Sequence, residues 1–172
     1  MRSKFVMAVA AICVGTLALA GCNQQQASNT SSGGTGQPAA TQADMSPEGN
    51  AKFLADNAKK EGVKTTASGL QYRVIKAGAG KSPTASDQVT VTYKGSLIDG
   101  TVFDQTQPGQ SATFPTGALI PGWVEALQLM KEGDEWEIVI PSKLGYGEAG
   151  AGGVIPPNQT LVFDMALLTV QK

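Results

Sequence analysis

The residue types that could do chemistry in this chain are limited, because its 172 residues include no histidine. That absence excludes Ser-His-Asp and Cys-His nucleophilic catalysis, imidazole zinc sites and histidine general bases. What remains near the predicted loops is a group of large apolar and aromatic side chains, namely Tyr93, Phe103, Phe114, Ile120, Trp123, Tyr146, Ile155 and Phe163. Most of these side chains are expected to belong to a hydrophobic core.

Two residues near this group are candidates for a functional role. Tyr146 stands between two glycines beside a glycine- and proline-rich stretch, where a core aromatic residue is not expected. Asp104 directly follows Phe103, and a carboxylate among apolar residues needs a hydrogen-bond partner. A tyrosine hydroxyl such as that of Tyr93 could supply it.

Motifs for cofactors and metals are weak in this chain. Residues 145–150 fit the pattern G-x-G-x-x-G, but the glycines and prolines that follow cannot form the helix that a dinucleotide site requires. Acidic residues between 132 and 137 alternate in the manner of a solvated strand face. The chain carries 13 basic and 14 acidic residues, so it has no excess of positive charge for nucleic acid. We therefore expect no cofactor, no metal and no nucleic-acid partner.

The N-terminus has the pattern of a secretory signal. Residues 1–4 contain two positive charges, and residues 5–20 are uncharged and mostly apolar. This run is shorter than the roughly 20 residues of a membrane-spanning helix. It ends in Leu-Ala-Gly before Cys22, which looks like a bacterial lipobox. We expect residues 1–21 to be a lipoprotein signal peptide and Cys22 to carry the lipid; an ordinary signal peptide and a retained membrane helix are the alternatives.

The segments before the folded domain are predicted from composition. Residues 22–45 have few large apolar side chains and one charge, which predicts a disordered tether. Ser46 and Pro47 open a short helix, expected to end at Gly62, within an N-terminal helix and linker over residues 46–66. Phe53 and Leu54 are its expected anchors, and they are too few for a dimer seam.

Residues 67–172 form the predicted folded domain. Alternating apolar residues and turn signals predict strands over residues 69–78, 88–100, 134–141 and 160–172, with a further extended piece at 101–104. A helix is predicted over residues 117–130, begun by Pro121, with Trp123, Leu127 and Met130 on one face. No β-α-β repeat is present, so the fold class is α+β with an antiparallel sheet.

Three stretches, 89–106, 119–135 and 140–168, resemble the FKBP-type peptidyl-prolyl isomerases. The shared pattern is YxG, DGxxFD, IPGWxxAL, YGxxG and IPPxxTLxFxxxLL, in that order, and it spans about residues 67–172. The lipobox, tether and short helix resemble the bacterial envelope branch, the Mip-like and FkpA-like isomerases. Those relatives dimerise through long N-terminal helices, whereas the short arm here predicts a monomer.

The resemblance implies a fold, an antiparallel β-sheet wrapped around one short α-helix, and a pocket in it. The residues that fall on the family's pocket positions are Tyr93, Phe103, Asp104, Phe114, Leu119, Ile120, Trp123, Tyr146, Ile155 and Phe163. Trp123 would form the floor for a proline ring. The Ile120 N–H and the Tyr146 hydroxyl would bind substrate carbonyls, and Asp104 would orient them through its field. Ala112 and Ala151 depart from the family pattern and are expected to alter substrate preference.

The resemblance also implies an activity and partners. The chain would be a peptidyl-prolyl cis-trans isomerase for unfolded or nascent envelope proteins that contain proline, with FK506- and rapamycin-type macrolides as inhibitors. Rotation about a peptide bond needs neither a base nor a nucleophile, which suits a chain without histidine. The expected location is the periplasmic side of the cell envelope, with the outer membrane favoured over the inner because Asn23 follows the cysteine. The alternatives are a chaperone that binds segments in the same groove without isomerising them, and a structural lipoprotein that kept the fold.

Overall fold

Residues 43–172 are described by a computed structural model of the chain. The predicted signal peptide, the lipidation site Cys22 and the tether up to residue 42 lie outside the described residues. Within residues 43–172, neither helix combines the length and the apolar character that crossing a membrane requires.

A seven-stranded antiparallel sheet is the main element of the domain. Its strands are β1 (Val63–Thr65), β2 (Gln71–Lys76), β3 (Gln88–Leu97), β4 (Val102–Gln105), β5 (Ala112–Pro115), β6 (Glu135–Ile140) and β7 (Leu161–Gln171). The strands run in the order β1-β2-β6-β7-β3-β4, and β5 also pairs with β3. The predicted antiparallel α+β class is therefore confirmed.

Helix α2 (Pro121–Leu129) packs against this sheet and completes the core. It begins at Pro121 as predicted, and Trp123, Leu127 and Met130 are buried together. A Cβ atom on Gly122 would lie 2.5 Å from Cγ2 of Ile140 in β6. The helix can approach the strand this closely because position 122 carries no side chain.

Strands β1 and β5 were not among the predicted strands. Strand β1 has three residues, mostly exposed, and it lies in the segment predicted to be a linker. It forms because each residue pairs with β2, from Val63 opposite Arg73 to Thr65 opposite Gln71. Strand β5 is held in the same way by β3. Each is only three or four residues long, and each is held by pairing with a longer neighbouring strand.

Helix α1 (Pro47–Asn57) begins as predicted but ends five residues before Gly62. The Ser46 hydroxyl accepts a hydrogen bond from the Gly49 N–H, 3.1 Å away, and so caps the first turn. The predicted end was wrong because Gly62, with a φ of 76°, turns the chain into β1 instead of ending the helix.

Helix α1 is docked on the domain mainly by buried amides. The predicted anchors Phe53 and Leu54 are only half-buried, whereas Asn50 and Asn57 are 4% and 2% exposed. Met45, the last residue of the predicted tether, packs against the hydrophobic core. The folded part of the chain therefore begins before the helix itself.

Candidate functional site

One cavity gathers nine of the ten residues predicted for the pocket. Its volume is about 160 Å³, and its lining residues are Tyr93, Phe103, Asp104, Phe114, Leu119, Ile120, Trp123, Tyr146 and Phe163. They come from β3, β4, β5, the start of α2, the loop after β6, and β7. Larger surface hollows beside α1, over residues 105–111 and beside β2, β3, β6 and β7 mix apolar with polar or charged side chains, and none gathers as many aromatic rings. The aromatic cavity is therefore the candidate site for an apolar ligand.

The walls and floor of the cavity are aromatic rings packed edge to face. Trp123 is 4% exposed and is presented by the first turn of α2. Its ring centroid lies 5.1 Å from that of Tyr93 and 5.2 Å from that of Phe163, at interplanar angles of 82° and 84°. This geometry is favourable for aromatic pairs. It holds the indole ring in a fixed position.

A glycine allows two of these rings to meet. Gly95 in β3 is opposite Phe163 in β7 and Asp104 in β4. A Cβ atom at this position would lie 2.6 Å from Cε1 of Phe163 and 2.7 Å from Cζ of Phe103. Gly95 is the glycine of the YxG pattern, and a glycine inside a strand is a signal of close approach.

The polar side of the cavity contains a tyrosine–carboxylate pair. The Tyr93 hydroxyl donates a hydrogen bond of 2.7 Å to Oδ2 of Asp104. This is the partner that the sequence suggested for the carboxylate. Burial of the hydroxyl first, and then the bond to Asp104 and its negative charge, raise the pKa of Tyr93 to about 12. The hydroxyl therefore stays protonated at physiological pH.

The raised pKa of Tyr93 gives a spectroscopic prediction. Because the folded pKa of about 12 lies above the ordinary value of 10.0, the protonated hydroxyl contributes stability that is complete below pH 10 and lost as the pH rises through about 12. We expect the phenolate absorbance of the folded chain to include one tyrosine that ionises near pH 12. Tyr93→Phe should remove that step, and Tyr72→Phe should retain it. A step near pH 12 that persists in Tyr93→Phe would contradict the assignment.

The Nε1–H of Trp123 is buried without a hydrogen-bond partner, and two further donors at the cavity also have no partner among residues 43–172. Ile120 caps α2, and its carbonyl accepts bonds from the N–H groups of Trp123 and Val124. Its own N–H makes no hydrogen bond within the described part of the chain. Tyr146 is 39% exposed, and its hydroxyl is likewise unbonded there. Both donors are thus free to bind carbonyl oxygens of a ligand.

Tyr146 is presented by a glycine-rich loop, and Ile155 holds that loop in place. The backbones of Ala151 and Ile155 exchange two hydrogen bonds of 2.9 Å. The Ile155 side chain is 7% exposed and belongs to the hydrophobic core. Trp123 and Phe163, which line the cavity, belong to the same core, so burial does not separate Ile155 from the site. Ile155 is not among the nine lining residues, and its place in the wall stays a prediction.

No site for a metal ion is evident in the described residues. Across residues 43–172, no three acidic, cysteine or histidine side chains come close enough together to hold one. The residues that line the cavity supply apolar contacts, hydrogen-bonding groups and the carboxylate of Asp104.

Two protein-family models match this chain. The family model for FKBP-type peptidyl-prolyl cis-trans isomerase matches residues 80–168. A second family model, for the domain amino terminal to these isomerases, matches residues 4–74.

Several curated relatives are about half identical to this chain. The FKBP-type 22 kDa peptidyl-prolyl cis-trans isomerase of Escherichia coli K12 is 55% identical over 127 residues, which are 73% of this chain and 61% of the relative. The peptidyl-prolyl cis-trans isomerase Mip of Coxiella burnetii is 56% identical, over 70% of this chain and 53% of the relative. The outer membrane protein MIP of Legionella longbeachae is 52% identical, over 70% of this chain and 52% of the relative. The chain thus spans between half and two thirds of the length of these relatives.

Solved structures show the same fold. A peptidyl-prolyl cis-trans isomerase from Pseudomonas syringae pv. tomato is 37% identical with a TM-score of 0.69, over 81% of this chain and all of that one. FkpA from Escherichia coli is 46% identical with a TM-score of 0.68, over 71% of this chain and 57% of that one. At these identities and TM-scores, both structures show that this chain has the same fold.

Proposed function

Since the chain belongs to the family of FKBP-type peptidyl-prolyl cis-trans isomerases, we propose that its aromatic cavity binds a proline ring and catalyses rotation about the preceding peptide bond. The observation that carries this proposal is the combination of one small apolar cavity with two free hydrogen-bond donors, the Ile120 N–H and the Tyr146 hydroxyl. The substrates would be unfolded or nascent envelope proteins that contain proline.

The size of the cavity supports a single-ring ligand. An apolar cavity of about 150 Å³ is known to bind benzene. The cavity here, of about 160 Å³, is therefore large enough for one pyrrolidine ring. Its floor is closed by Trp123, which is almost completely buried. This shape does not favour the alternative of a chaperone that holds whole segments without isomerising them.

The catalytic effect would come from the difference between a planar and a twisted amide. Amide resonance gives the bond a rotational barrier of about 18–20 kcal/mol, and twisting removes that resonance. The planar form is more polar, so an apolar cavity over Trp123 disfavours it relative to the twisted form. A barrier lowered by about 5–7 kcal/mol corresponds to roughly a 10⁴- to 10⁵-fold acceleration.

The polar groups of the site would fix the geometry of the bound peptide. The Ile120 N–H and the Tyr146 hydroxyl donate hydrogen bonds to substrate carbonyls on either side of the twisted bond. Asp104 orients the Tyr93 hydroxyl through their 2.7 Å hydrogen bond and contributes its negative field. No proton is transferred, so Asp104 acts neither as an acid nor as a base.

Removal of the Tyr146 hydroxyl tests this arrangement. We expect Tyr146→Phe to lower kcat/KM for a proline peptide about 5- to 10-fold, the loss of one hydrogen bond that is made in the transition state. The matched control is Tyr72→Phe, because the Tyr72 ring stacks on Trp136 at 4.4 Å and does not line the cavity. Equal kinetics for wild type, Tyr146→Phe and Asp104→Ala would exclude these residues from the site.

The location of the protein is a further part of the proposal. We propose that Cys22 carries the lipid that holds the protein on the periplasmic side of the envelope, with the outer membrane favoured. The name of the Legionella longbeachae relative, an outer membrane protein, supports an envelope location. Mass spectrometry of the membrane-bound protein tests it, since a chain that retains residues 1–21 or carries no lipid on Cys22 would contradict it.

Two other parts of the proposal concern inhibitors and the oligomeric state. We propose that macrolides of the FK506 and rapamycin type occupy the cavity and compete with the peptide. We also propose a monomer, because α1 has 11 residues and only Phe53 and Leu54 as large apolar side chains. Sedimentation of the full-length chain as a dimer would contradict the monomer.

A further inference from the structure

We propose that Asn50 of helix α1 is a positioning residue for Tyr146, which it reaches through the segment that follows the Tyr146 loop. This inference rests on the proposed isomerase function, because it assigns α1 a part in the placement of a group that binds substrate. Nothing in the family pattern quoted above includes position 50, which lies outside residues 67–172.

The side chain of Asn50 is buried, and both ends of its amide make hydrogen bonds that hold residues 159 and 160. It is 4% exposed, and its Oδ1 accepts a hydrogen bond of 2.8 Å from the Thr160 N–H. Its Nδ2 lies 3.2 Å from Oε1 of Gln159 and within 3.1 Å of the carbonyl oxygens of Met45 and Ser46. One amide of α1 thus binds two consecutive residues at the end of the Tyr146 loop.

Gln159 extends the same network toward the loop. Its Nε2 donates hydrogen bonds to the carbonyl oxygens of Met45, 3.0 Å away, and Pro157, 3.1 Å away. Gln159 is 5% exposed, so these bonds are made in the absence of competing water. The N-terminal end of α1 and residues 157–160 are therefore joined by a buried set of amide contacts.

Asn158 transmits this contact to Tyr146. Among residues 43–172 it is the one non-glycine residue with a positive φ, at 62°. Its N–H donates a hydrogen bond of 2.8 Å to the carbonyl oxygen of Gly147, the residue after Tyr146. Asparagine tolerates this left-handed conformation better than other non-glycine residues, and the position of Asn158 is held by the contacts of the residues that follow it. Here those contacts are on Gln159 and Thr160, and Asn50 makes them.

Loss of the Asn50 side chain should loosen residues 157–160, because the groups that it binds are buried. Without it, the buried Thr160 N–H would have no acceptor, and the segment would relieve this by moving toward solvent. Asn158 would then move with this segment and release the Gly147 carbonyl. Tyr146 would lose its fixed position, because its side chain is 39% exposed and its hydroxyl has no hydrogen bond within residues 43–172.

Helix α1 supplies a matched control in its second buried amide. Asn57 is 2% exposed, and its Nδ2 donates a hydrogen bond of 2.9 Å to Oε1 of Gln71. The Gln71 amide in turn donates to the Leu54 carbonyl, 2.9 Å away. These contacts join α1 to β2 and do not reach the Tyr146 loop. Asn57→Ala therefore weakens helix docking without breaking the connection to Tyr146.

The experiment compares full-length wild type, Asn50→Ala, Asn57→Ala, Tyr146→Phe and the double variant Asn50→Ala/Tyr146→Phe. We expect Asn50→Ala to lower kcat/KM for a proline peptide about threefold, part of the effect of losing the Tyr146 hydrogen bond. For Asn57→Ala, kcat/KM should stay within about twofold of wild type, because Asn57 shares no hydrogen-bond partner with the Tyr146 loop. In the Tyr146→Phe background, Asn50→Ala should have almost no further effect, because it acts through that hydroxyl.

Hydrogen exchange supplies a readout that does not depend on activity. Asn50→Ala should speed exchange of the Asn158 N–H at least about tenfold, while the Met130 N–H, bonded to the Ala126 carbonyl at the end of α2, stays protected. Asn57→Ala should leave the Asn158 N–H protected. If the alanine variants do not fold, Asn50→Leu and Asn57→Leu allow the same comparison, because leucine has a similar size and no hydrogen-bonding group.

The outcomes separate this inference from the proposed function. Equal losses of kcat/KM in Asn50→Ala and Asn57→Ala, or a full additional loss in the double variant, would overturn the role of Asn50. An unchanged exchange rate of the Asn158 N–H in Asn50→Ala would overturn it as well. A wild-type chain without isomerase activity would instead refute the proposed function, and the exchange measurement would still decide whether Asn50 holds the loop.

Discussion

Replacement of Trp123 by alanine is expected to lower kcat/KM for a proline peptide by at least about 100-fold, which is about 2.7 kcal/mol of transition-state stabilisation. The indole ring is the floor of the cavity, and its edge-to-face neighbours Tyr93 and Phe163 lie 5.1 Å and 5.2 Å away. Without it, the floor opens and the rings that form the walls lose their common contact. The free energy of unfolding should also fall by about 3–5 kcal/mol. Peptide isomerisation kinetics and urea denaturation measure the two effects.

The second tryptophan separates activity from stability. Trp136 is also buried, at 6% exposure, but it stacks on Tyr72 and does not line the cavity. Trp136→Ala should destabilise the domain by a comparable amount and leave kcat/KM of the folded fraction within about threefold of wild type. If the two variants lose activity in proportion to their stability alone, Trp123 has no special place in the site.

Gly95→Ala is expected to narrow the cavity by pushing two of its wall rings, Phe103 and Phe163, out of place. The added Cβ atom would lie 2.6 Å from Phe163 and 2.7 Å from Phe103, both of which line the cavity. Phe163 is 3% exposed and packed against Trp123, so it cannot move away without displacing the floor. We expect a loss of about 1–3 kcal/mol in the free energy of unfolding and at least about a 10-fold loss in kcat/KM.

Gly80→Ala is the matched control for this overpacking. A Cβ atom at Gly80 would collide with the side chain of Glu132, which does not line the cavity. Stability should fall there as well, with kcat/KM retained. A Gly95→Ala variant that keeps wild-type kinetics would show that the contact between the Phe103 and Phe163 rings is not needed for the site.

Trp123 and Gly95 show two ways in which this site is built. Trp123 is a large residue whose position is set by the periodicity of its helix. Gly95 has no side chain, and this leaves room for the rings of Phe103 and Phe163 from two other strands. Both act on the shape of the cavity rather than on proton transfer. This is consistent with an isomerase that needs no histidine.

The sequence predicted those features that depend on local pattern. Helix α2 was predictable because Pro121 marks its start and Trp123, Leu127 and Met130 recur on one face. The partner of Asp104 was predictable because a carboxylate beside apolar residues needs a donor, and Tyr93 supplies it. All nine residues that line the cavity were among the ten predicted from the family pattern, which fixes their order and spacing.

The features that the sequence did not predict depend on tertiary contacts. The three residues of β1 have no pattern of their own and form a strand only through pairing with β2. Helix α1 was expected to dock through Phe53 and Leu54, because apolar residues are the usual anchors. It docks through Asn50 and Asn57, whose burial is possible only because Gln159 and Gln71 lie opposite them. Such polar pairing cannot be read from one segment alone.

The place of Ile155 stays a prediction from the resemblance. Its backbone is bridged to that of Ala151, and its side chain is buried like those of Trp123 and Phe163. Position 151 is also one of the two departures from the family pattern.

The most direct test of the account is the rate of cis/trans exchange in a short Leu-Pro peptide, measured by NMR with the full-length chain, with and without an FK506-type macrolide. We expect catalytic amounts of the wild-type chain to accelerate exchange and the macrolide to abolish this acceleration. Trp123→Ala should not accelerate exchange. A folded chain that leaves the exchange rate at its uncatalysed value would contradict the proposal that the aromatic cavity is an isomerase site.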